Sequence, residues 1–334
     1  MANYVREDLN KTGNPDREIL LTWLDLAKED DRIVFVEADS LLYLFAEEID
    51  ALPESYRDWF WSTPDRKRRL VTCGIQEANA ALVSAGLAAQ GFKVFYPEGG
   101  GWGGWLYERA YQMIAYSICI ERYDVTMVGG AGGIGGRGGT THHILRDIAT
   151  MSAIPNMIVT AAADPVEAKK IALFAYKYIG PKYIRAAGFA NIIFTDEYEF
   201  KLGEAPVVRE GDDATIIGMQ EWVYKGLLAA EKLAKEGIET RVINMSSIKP
   251  IGKKAIIKAA KETGAIVTAE STNIHGGMGS AVAGVLGESY PVPIKRLALH
   301  DLFTHSSSGD LPDAYYHQTV DDLVAAVKET VKRK

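Results

Sequence analysis

Two kinds of hydrophobic pattern alternate along almost the whole chain. Continuous apolar runs such as RIVFVEAD follow segments such as DREILLTWLDLAKEDD, in which apolar residues recur every three or four positions. The first pattern is typical of strands buried on both faces of a parallel sheet, and the second of helices with one apolar face. The alternation therefore predicts an α/β protein with mostly parallel sheets.

The alternation is interrupted once, by the polar and turn-rich sequence TDEYEFKLGEAPVVREGDD. A length of 334 residues allows two domains of ordinary size, each with its own core. We therefore predict two doubly wound domains at 1–195 and 213–334. The segment 196–212 between them is either an irregular linker or a pair of short connecting strands.

Two helix starts are predicted from individual residues. Asp164 is suited to cap a helix that has Pro165 at its first position. Glu77 lies in the first turn of an otherwise apolar helix that follows the strand RLVTCG. A carboxylate there gains about 0.3–1 kcal/mol from the helix dipole alone. Glu77 is therefore either a simple dipole contact or a working acid.

The composition restricts the partners and the compartment. Hydrophobic residues make up 47% of the chain and charged residues 24%, and the net charge is -7. An acidic surface disfavours nonspecific binding to nucleic acid or to anionic membranes. No signal-peptide pattern and no apolar run of about 18 residues is recognised, so we expect no membrane span. The two cysteines, Cys73 and Cys119, predict no disulfide framework or zinc site and fit the cytoplasm.

A glycine-rich loop and its neighbours form the candidate site. The stretch GGAGGIGGRGG follows a predicted strand, but it matches neither the dinucleotide-binding pattern nor a Walker A motif. Loops in this position line ligand crevices in α/β proteins, although tight turns also require glycine. His142 and His143 come next, at the predicted head of a helix. One of them is a candidate hydroxyl donor or proton shuttle, and the alternative is a pair of structural histidines.

Two tryptophans follow a second glycine run. Trp102 and Trp105 lie three residues apart after GGG. Tryptophans are usually buried in a core or an interface, but a pair like this also suits stacking on a flat heterocycle. The residues alone thus indicate a crevice with an acid, a histidine and aromatic side chains, and leave its ligand open.

The order of motifs resembles the C-terminal half of transketolases, and most closely the shorter subunit of the split, two-chain form. The matching stretches include GIQEANAALVSAGLAAQG, GTTHHILRDIATMSAIPNMIV, TRVINMSSIKPIGKKAI and AIVTAESTNIHGGMGSAVAGVL. They occur in the family's order from about residue 16 to the C-terminus. The resemblance implies a pyrimidine-binding domain, a transketolase C-terminal domain, and thiamine diphosphate as cofactor.

The resemblance also implies roles for single residues. Glu77 matches the glutamate that hydrogen-bonds N1′ of the aminopyrimidine. Trp102 and Trp105 fall where the family usually has phenylalanines beside that ring. Asp39 matches an acid near the cofactor, and His142 matches the histidine that contacts donor hydroxyls.

Further positions bear on the substrate. By the same resemblance, Arg17 matches a phosphate-contacting arginine, while Arg137 and His143 are candidates for alternative anion contacts. Sugar-phosphate transketolases usually have an acid where this chain has Gly138. Since contacts to charged groups contribute about 1.5–3 kcal/mol each, this departure predicts atypical sugar substrates.

A partner subunit is implied by a missing motif. The family holds the diphosphate and its Mg²⁺ or Ca²⁺ with a Gly-Asp-Gly motif and a downstream asparagine, and this chain has no Gly-Asp-Gly. We therefore expect a larger subunit, matching the N-terminal half, that holds most of the metal contacts, in an α2β2 heterotetramer. No metal ligands are predicted in this chain.

Three functions remain open from the sequence. The first is transfer of a two-carbon ketol unit from a ketose to an aldehyde. The second is a thiamine-dependent enzyme with a 2-oxo acid donor, similar to deoxyxylulose-phosphate synthase or the β subunit of 2-oxoacid dehydrogenases. The third is a catalytically silent partner subunit, against which the retention of Glu77 argues.

Overall fold

The computed structural model describes residues 1–40, 69–98, 108–134, 138–306 and 311–334. Within these ranges the chain forms an α/β structure with a seven-stranded sheet, a five-stranded sheet and a two-stranded ribbon. The predicted fold class is confirmed. None of the helices described is both long and apolar enough to cross a lipid bilayer.

The seven-stranded sheet has the order β12-β6-β7-β5-β4-β2-β3, and all its strands are parallel except β12. Four of these strands are buried along their whole length, as the continuous apolar runs predict. The strands are β2 (Ile33–Glu37), β3 (Leu70–Thr72), β4 (Lys93–Glu98), β5 (Val125–Gly129), β6 (Ile158–Ala161), β7 (Lys182–Arg185) and β12 (Ser247–Lys249).

Helices cover both faces of this sheet. They are α1 (Pro15–Glu29), α2 (Glu77–Ala89), α3 (Tyr111–Met113), which continues as a π-helix (Ile114–Cys119), α4 (Asp147–Ala153) and α5 (Pro165–Lys177). On one face, Trp23 of α1 stacks on Phe95 of β4 at 4.9 Å between ring centroids. On the other face, α2 and the π-helix pack over β4 and β5. Asp164 caps α5 by accepting a hydrogen bond from Glu167 N, which confirms the predicted helix start.

The second sheet has the order β14-β13-β10-β11-β9, and only β9 is antiparallel to its neighbour. Its strands are β9 (Val207–Arg209), β10 (Ala214–Gly218), β11 (Thr240–Asn244), β13 (Ile266–Asn273) and β14 (Ile294–Leu299). The helices of this part are α6 (Glu221–Ala234), α7 (Lys253–Thr263), α8 (Met278–Ser289), α9 (Leu311–Tyr315) and α10 (Val320–Val331).

Short strands lie outside the two main sheets or link them. β1 (Thr12–Gly13) pairs with β8 (Ala190–Asn191) in a ribbon within the first half. β9, from the segment 196–212, joins the second sheet. In the other direction, β12 comes from the second half and extends the first sheet. The segment 196–212 is thus irregular except for the single strand β9, and the domain boundaries stay a prediction.

One helix starts later than its sequence indicates. The stretch HHILRDIATM predicts a helix from the histidines onward, but α4 begins at Asp147 after a 3₁₀ turn over Gly139–Thr141. The carbonyl of Ile144 accepts hydrogen bonds from Gly133 N and from Arg185 Nη2, and the carbonyl of Leu145 accepts one from Asn273 N. Because these carbonyls are engaged by distant residues, they are not available for helical hydrogen bonds.

Candidate active site

Glu77 lies at the carboxyl edge of the first sheet, which is where ligand crevices form in α/β proteins. It is the first residue of α2 and is 4% exposed. The Tyr96 hydroxyl donates to the Glu77 backbone carbonyl at 3.1 Å, and Arg109 Nη1 donates to the Glu77 carboxylate at 3.0 Å. Since the Arg109 side chain is half exposed, the buried Glu77 carboxylate is paired with a group that reaches the surface.

Two other buried carboxyl groups lie near Glu77. Glu37 ends β2 and Glu98 ends β4, so that both occupy the same edge of the sheet. Burial raises the pKa of the Glu98 carboxyl to about 8, and the negative charges of Glu77 and Glu37 also raise it. Burial, together with the charges of Glu37 and Glu98, raises the pKa of the Cys73 thiol. Three carboxyl groups thus lie close together at this edge of the sheet, and their environment favours the protonated form of Glu98.

The glycine loop is explained largely by the packing of the protein's own side chains. A Cβ at Gly129 would lie 2.0 Å from the Tyr183 hydroxyl, and one at Gly132 would lie 2.6 Å from Arg185 Nε. Arg185 is completely buried, with Nε 3.0 Å from Asp147 Oδ2. These two glycines are therefore required by a buried ion pair and a tyrosine rather than by close approach to a ligand.

His142 fills the space that a side chain at position 138 would need. His142 is partly buried, and its Nδ1 lies 2.8 Å from Thr141 Oγ1. A Cβ at Gly138 would lie 2.5 Å from His142 Cγ and 2.6 Å from His142 Cβ. Real Cβ atoms essentially never approach other heavy atoms so closely, so a side chain at position 138 would displace His142. Gly138 is thus a steric condition for the observed histidine position.

His143 faces in a different direction from its neighbour. It is 4% exposed, and its Nδ1 lies 2.7 Å from Thr304 Oγ1 of the second half of the chain. The two adjacent histidines are therefore not brought together on one ligand. Their assignments to a substrate stay predictions.

The other predicted site residues are placed as follows. Asp39 lies two residues after the end of β2, is exposed, and has a φ of 67°. Arg17 is exposed on the first turn of α1, where its backbone N–H donates to Asn14 Oδ1. Trp102, Trp105 and Arg137 lie outside the described residues.

Sequence reasoning missed Asp16, which lies beside Arg17. Asp16 is buried and accepts a hydrogen bond from Ala131 N of the glycine loop at 3.1 Å, and burial raises its pKa to about 7. It also missed the partner of Glu77, Arg109. Periodicity carried no signal for either contact because Asp16 and Ala131, like Glu77 and Arg109, are far apart in sequence.

The N-terminus of α8, which follows the glycine-rich sequence HGGMGS, is occupied by a side chain of this chain. The Glu270 carboxylate accepts hydrogen bonds from Met278 N and Gly279 N, each at 2.7 Å, and from Thr272 Oγ1. A Cβ at Gly277 would lie 2.4 Å from Glu270 Oε2. The glycines of HGGMGS therefore allow α8 to receive an internal carboxylate.

The residues fit the pyrimidine half of thiamine diphosphate better than its charged half. A buried carboxylate at the crevice edge is suited to hydrogen-bond a ring nitrogen. Among the residues that the structure describes, no group of three or more His, Cys, Asp or Glu side chains is arranged to hold a metal ion. The fold and the buried Glu77 carboxylate fit a protein with a thiamine-type pyrimidine-binding domain followed by a smaller α/β domain.

Family profiles agree with this class. Residues 19–187 match the family described as transketolase, pyrimidine binding domain, and residues 203–321 match the transketolase C-terminal domain. The chain belongs to the transketolase family, whose cofactor is thiamine diphosphate.

Similar proteins include two named as parts of transketolases. The chain is 34% identical over 313 residues to the 6-deoxy-6-sulfo-D-fructose transketolase subunit SqwH of Clostridium sp. strain MSTE9, covering 93% of this chain and 92% of that one. It is 33% identical over 320 residues to an apulose-4-phosphate transketolase subunit of Phocaeicola vulgatus, covering 93% and 96% of the two chains. A 1-deoxy-D-xylulose-5-phosphate synthase of Desulforudis audaxviator is 33% identical over 275 residues, which make up 80% of this chain but 42% of the synthase.

A solved structure agrees over nearly the full length. It is described as a split gene transketolase, inactive beta4 tetramer, and it superposes with a TM-score of 0.81 at 32% identity. The match covers 96% of this chain and 99% of that one.

Proposed function

We propose that this chain is one subunit of a thiamine-diphosphate-dependent transketolase that transfers a two-carbon ketol unit from a ketose to an aldehyde. The observation that carries the proposal is the placement of Glu77, a buried carboxylate in the first turn of α2 at the edge of a parallel sheet. When bound, thiamine diphosphate would supply the nucleophilic carbon and the electron sink that ketol transfer needs.

In this proposal, the side chains of this chain bind and orient the cofactor and the donor sugar. Glu77 would hydrogen-bond N1′ of the aminopyrimidine and share a proton with it, while Arg109 holds the carboxylate in place at 3.0 Å. By the family resemblance, Trp102, Trp105 and Asp39 would border the cofactor. His142 would contact the hydroxyl groups of the donor sugar.

A charged group on the sugar, such as a phosphate, has several candidate partners on this chain. Arg17, Arg137 and His143 are the candidates on this chain for binding a negatively charged group of the sugar. Arg17 is exposed on the first turn of α1 and therefore accessible, whereas His143 is buried. Of the two described residues, Arg17 is accordingly the better candidate.

A larger partner subunit supplies the diphosphate and metal contacts. The absence of Gly-Asp-Gly from the sequence supports this assignment, as do the relatives named as subunits. Large apolar side chains are also exposed beside the Glu77 helix, namely Ile75, Leu82, Tyr116 and Ile120. Such a patch is typical of a protein interface. We assign Mg²⁺ or Ca²⁺ to the partner, an α2β2 arrangement to the complex, and the cytoplasm as its compartment.

The sugar substrates are atypical. Gly138 provides no acid for a donor hydroxyl, and His142 occupies the space in which a side chain at 138 would begin. The two relatives named as subunits are named for a sulfonated deoxyfructose and for apulose 4-phosphate, neither of which is a standard pentose-phosphate sugar. We therefore expect a modified or branched ketose as donor or product.

A 2-oxo acid donor is the second candidate. The similarity to deoxyxylulose-phosphate synthases supports it, as does the missing acid at Gly138. Such an enzyme would release CO2 from pyruvate, whereas a transketolase consumes a ketose without releasing CO2.

One experiment separates the candidates. The chain is co-purified with the product of an adjacent reading frame, supplied with thiamine diphosphate and Mg²⁺, and assayed with ketose donors, aldehyde acceptors and pyruvate. We expect ketose consumption that depends on the acceptor and the cofactor and is lost in Glu77→Gln. CO2 release from pyruvate without ketose turnover would support the second candidate, and turnover by this chain alone would contradict the need for a partner.

A further inference from the structure

The loop that carries His142 is held by the second half of the chain. Thr140 Oγ1 donates to the carbonyl of Thr304, and His143 Nδ1 lies 2.7 Å from Thr304 Oγ1. Gly139 has a φ of 69°, and a Cβ there would lie 2.5 Å from Ser306 Oγ. Thr304 thus contacts residues on both sides of His142, through its backbone and through its side chain.

The contact between His143 and Thr304 joins two buried side chains, whereas Thr140 is exposed. Thr304 is 1% exposed and His143 is 4% exposed, whereas the intervening His142 is only partly buried. A hydrogen bond between buried groups is costly to break, because the group left behind has no water to replace its partner. The orientation of His143 relative to Thr304 is therefore well defined.

Packing alone does not fix the loop at this point. A cavity of about 210 Å³ lies between the two halves of the chain, and its lining includes Thr140, His143, Asn273, Asp301 and Thr304. Interiors without such voids hold their side chains by close packing. Next to this cavity the loop has room to shift, so the hydrogen bonds to Thr304 contribute to holding it in place.

We propose that Thr304 is a positioning residue of the C-terminal domain that sets the place of His142 through Thr140 and His143. Under this proposal, which rests on the proposed function, His143 acts on the loop rather than on the sugar. The C-terminal domain thereby takes part in recognition of the donor without contacting it.

Three variants of the full chain test the proposal. Thr304→Val removes the hydroxyl at nearly constant volume, and Thr304→Ser retains it. Thr330→Val is the matched control, because Thr330 is also buried and its hydroxyl bonds only within α10, to the Ala326 carbonyl at 2.7 Å. The first readout is the set of imidazole ¹⁵N signals of the six histidines, assigned with His142→Gln and His143→Gln.

We expect Thr304→Val to change the ring signals of both His142 and His143, and Thr304→Ser and Thr330→Val to leave them as in the wild type. In the reconstituted complex, Thr304→Val should raise KM for the ketose about five- to tenfold, the loss expected for one hydrogen bond, with kcat within about twofold. Thr304→Ser should restore KM.

Unchanged ring signals in Thr304→Val, or a KM equal to that of Thr330→Val, would overturn the positioning role. A complex that is inactive toward every ketose would instead contradict the proposed function. In that case the ring signals of the chain alone still decide whether Thr304 positions the two histidines.

Discussion

Glu77 and Glu270 are both buried glutamates that meet the start of a helix, one in each half of the chain. Glu270 accepts two backbone N–H groups and a hydroxyl, all from its own surroundings. The Glu77 carboxylate instead accepts a hydrogen bond from the half-exposed side chain of Arg109. Glu270 thus serves the fold, whereas under the proposed function Glu77 binds the cofactor. The surrounding partners make this distinction, and the local sequence does not.

Of the two glutamates, Glu77 is the one whose substitution should have the largest effect. In the reconstituted complex, Glu77→Gln should lower kcat for ketol transfer by about 10²–10⁴-fold, the range for loss of a general acid–base group. The free energy of unfolding should change by less than about 1 kcal/mol, because glutamine retains an oxygen that can accept the hydrogen bond from Arg109. Steady-state rates and urea unfolding measure the two quantities, and a variant as active as the wild type would contradict the role of Glu77.

The next effect concerns the loop that carries Gly138 and His142. Gly138→Ala should displace His142 and lower kcat/KM for the ketose by about 10–100-fold, as misplacement of a binding group by about 1 Å does. Gly188→Ala is the matched control, because no atom lies within 4 Å of its expected Cβ. Equal kcat/KM values for the two alanine variants would mean that the position of His142 does not matter.

Glu270→Gln tests the structural member of the pair. Glutamine cannot accept all three hydrogen bonds, so the free energy of unfolding should fall by about 1–3 kcal/mol, the cost of an unsatisfied buried polar group. Glu288→Gln, an exposed change on α8, the helix whose first N–H groups bind Glu270, should remain within about 0.5 kcal/mol of the wild type. A loss of ketol transfer in Glu270→Gln without a loss of stability would reverse the roles assigned to the two glutamates.

The smallest effect is on the pH dependence of the free energy of unfolding, to which Glu98, a neighbour of Glu77, contributes. The pKa of Glu98 is raised to about 8 in the folded chain, so the folded state favours the protonated carboxyl. The resulting stabilisation is complete below the ordinary glutamate pKa, near 4.3, and is lost as the pH rises through about 8.

Unfolding in urea at pH 5 and pH 8 measures this contribution. The decrease in the free energy of unfolding should be smaller in Glu98→Gln than in the wild type by about 1 kcal/mol or more. Identical decreases would show that Glu98 does not titrate in this range. Because Asp16 and Glu167 also have raised pKa values, of about 7 each, the variant should retain part of the dependence.

Much of the fold could be predicted because its signals are local. The buried strands appear as continuous apolar runs, and the starts of α2 and α5 follow from Glu77, Asp164 and Pro165. The helix predicted from His142 onward was wrong because the carbonyl of Ile144 is engaged by Arg185, 41 positions away. Such long-range competition leaves no mark in the local pattern.

The candidate site could be predicted in part. A resemblance in motif order identified the family, which the comparisons confirm, and it drew attention to Glu77 and His142. The requirement for glycine at position 129 depends on Tyr183, and the anion at the start of α8 is Glu270, so neither could be read from neighbouring residues. The same limit applies to the contact between His143 and Thr304, residues 161 positions apart.

The most direct test of the central claim is the exchange of the C2 proton of thiamine diphosphate in the reconstituted complex, followed by NMR after transfer to D2O. This rate reports the proton that the Glu77 carboxylate helps to mobilise and does not require knowledge of the sugar. We predict rapid exchange in the wild-type complex and exchange at least about 10²-fold slower in Glu77→Gln. Equal rates in the two complexes would contradict the assignment of Glu77 as the residue that activates the cofactor.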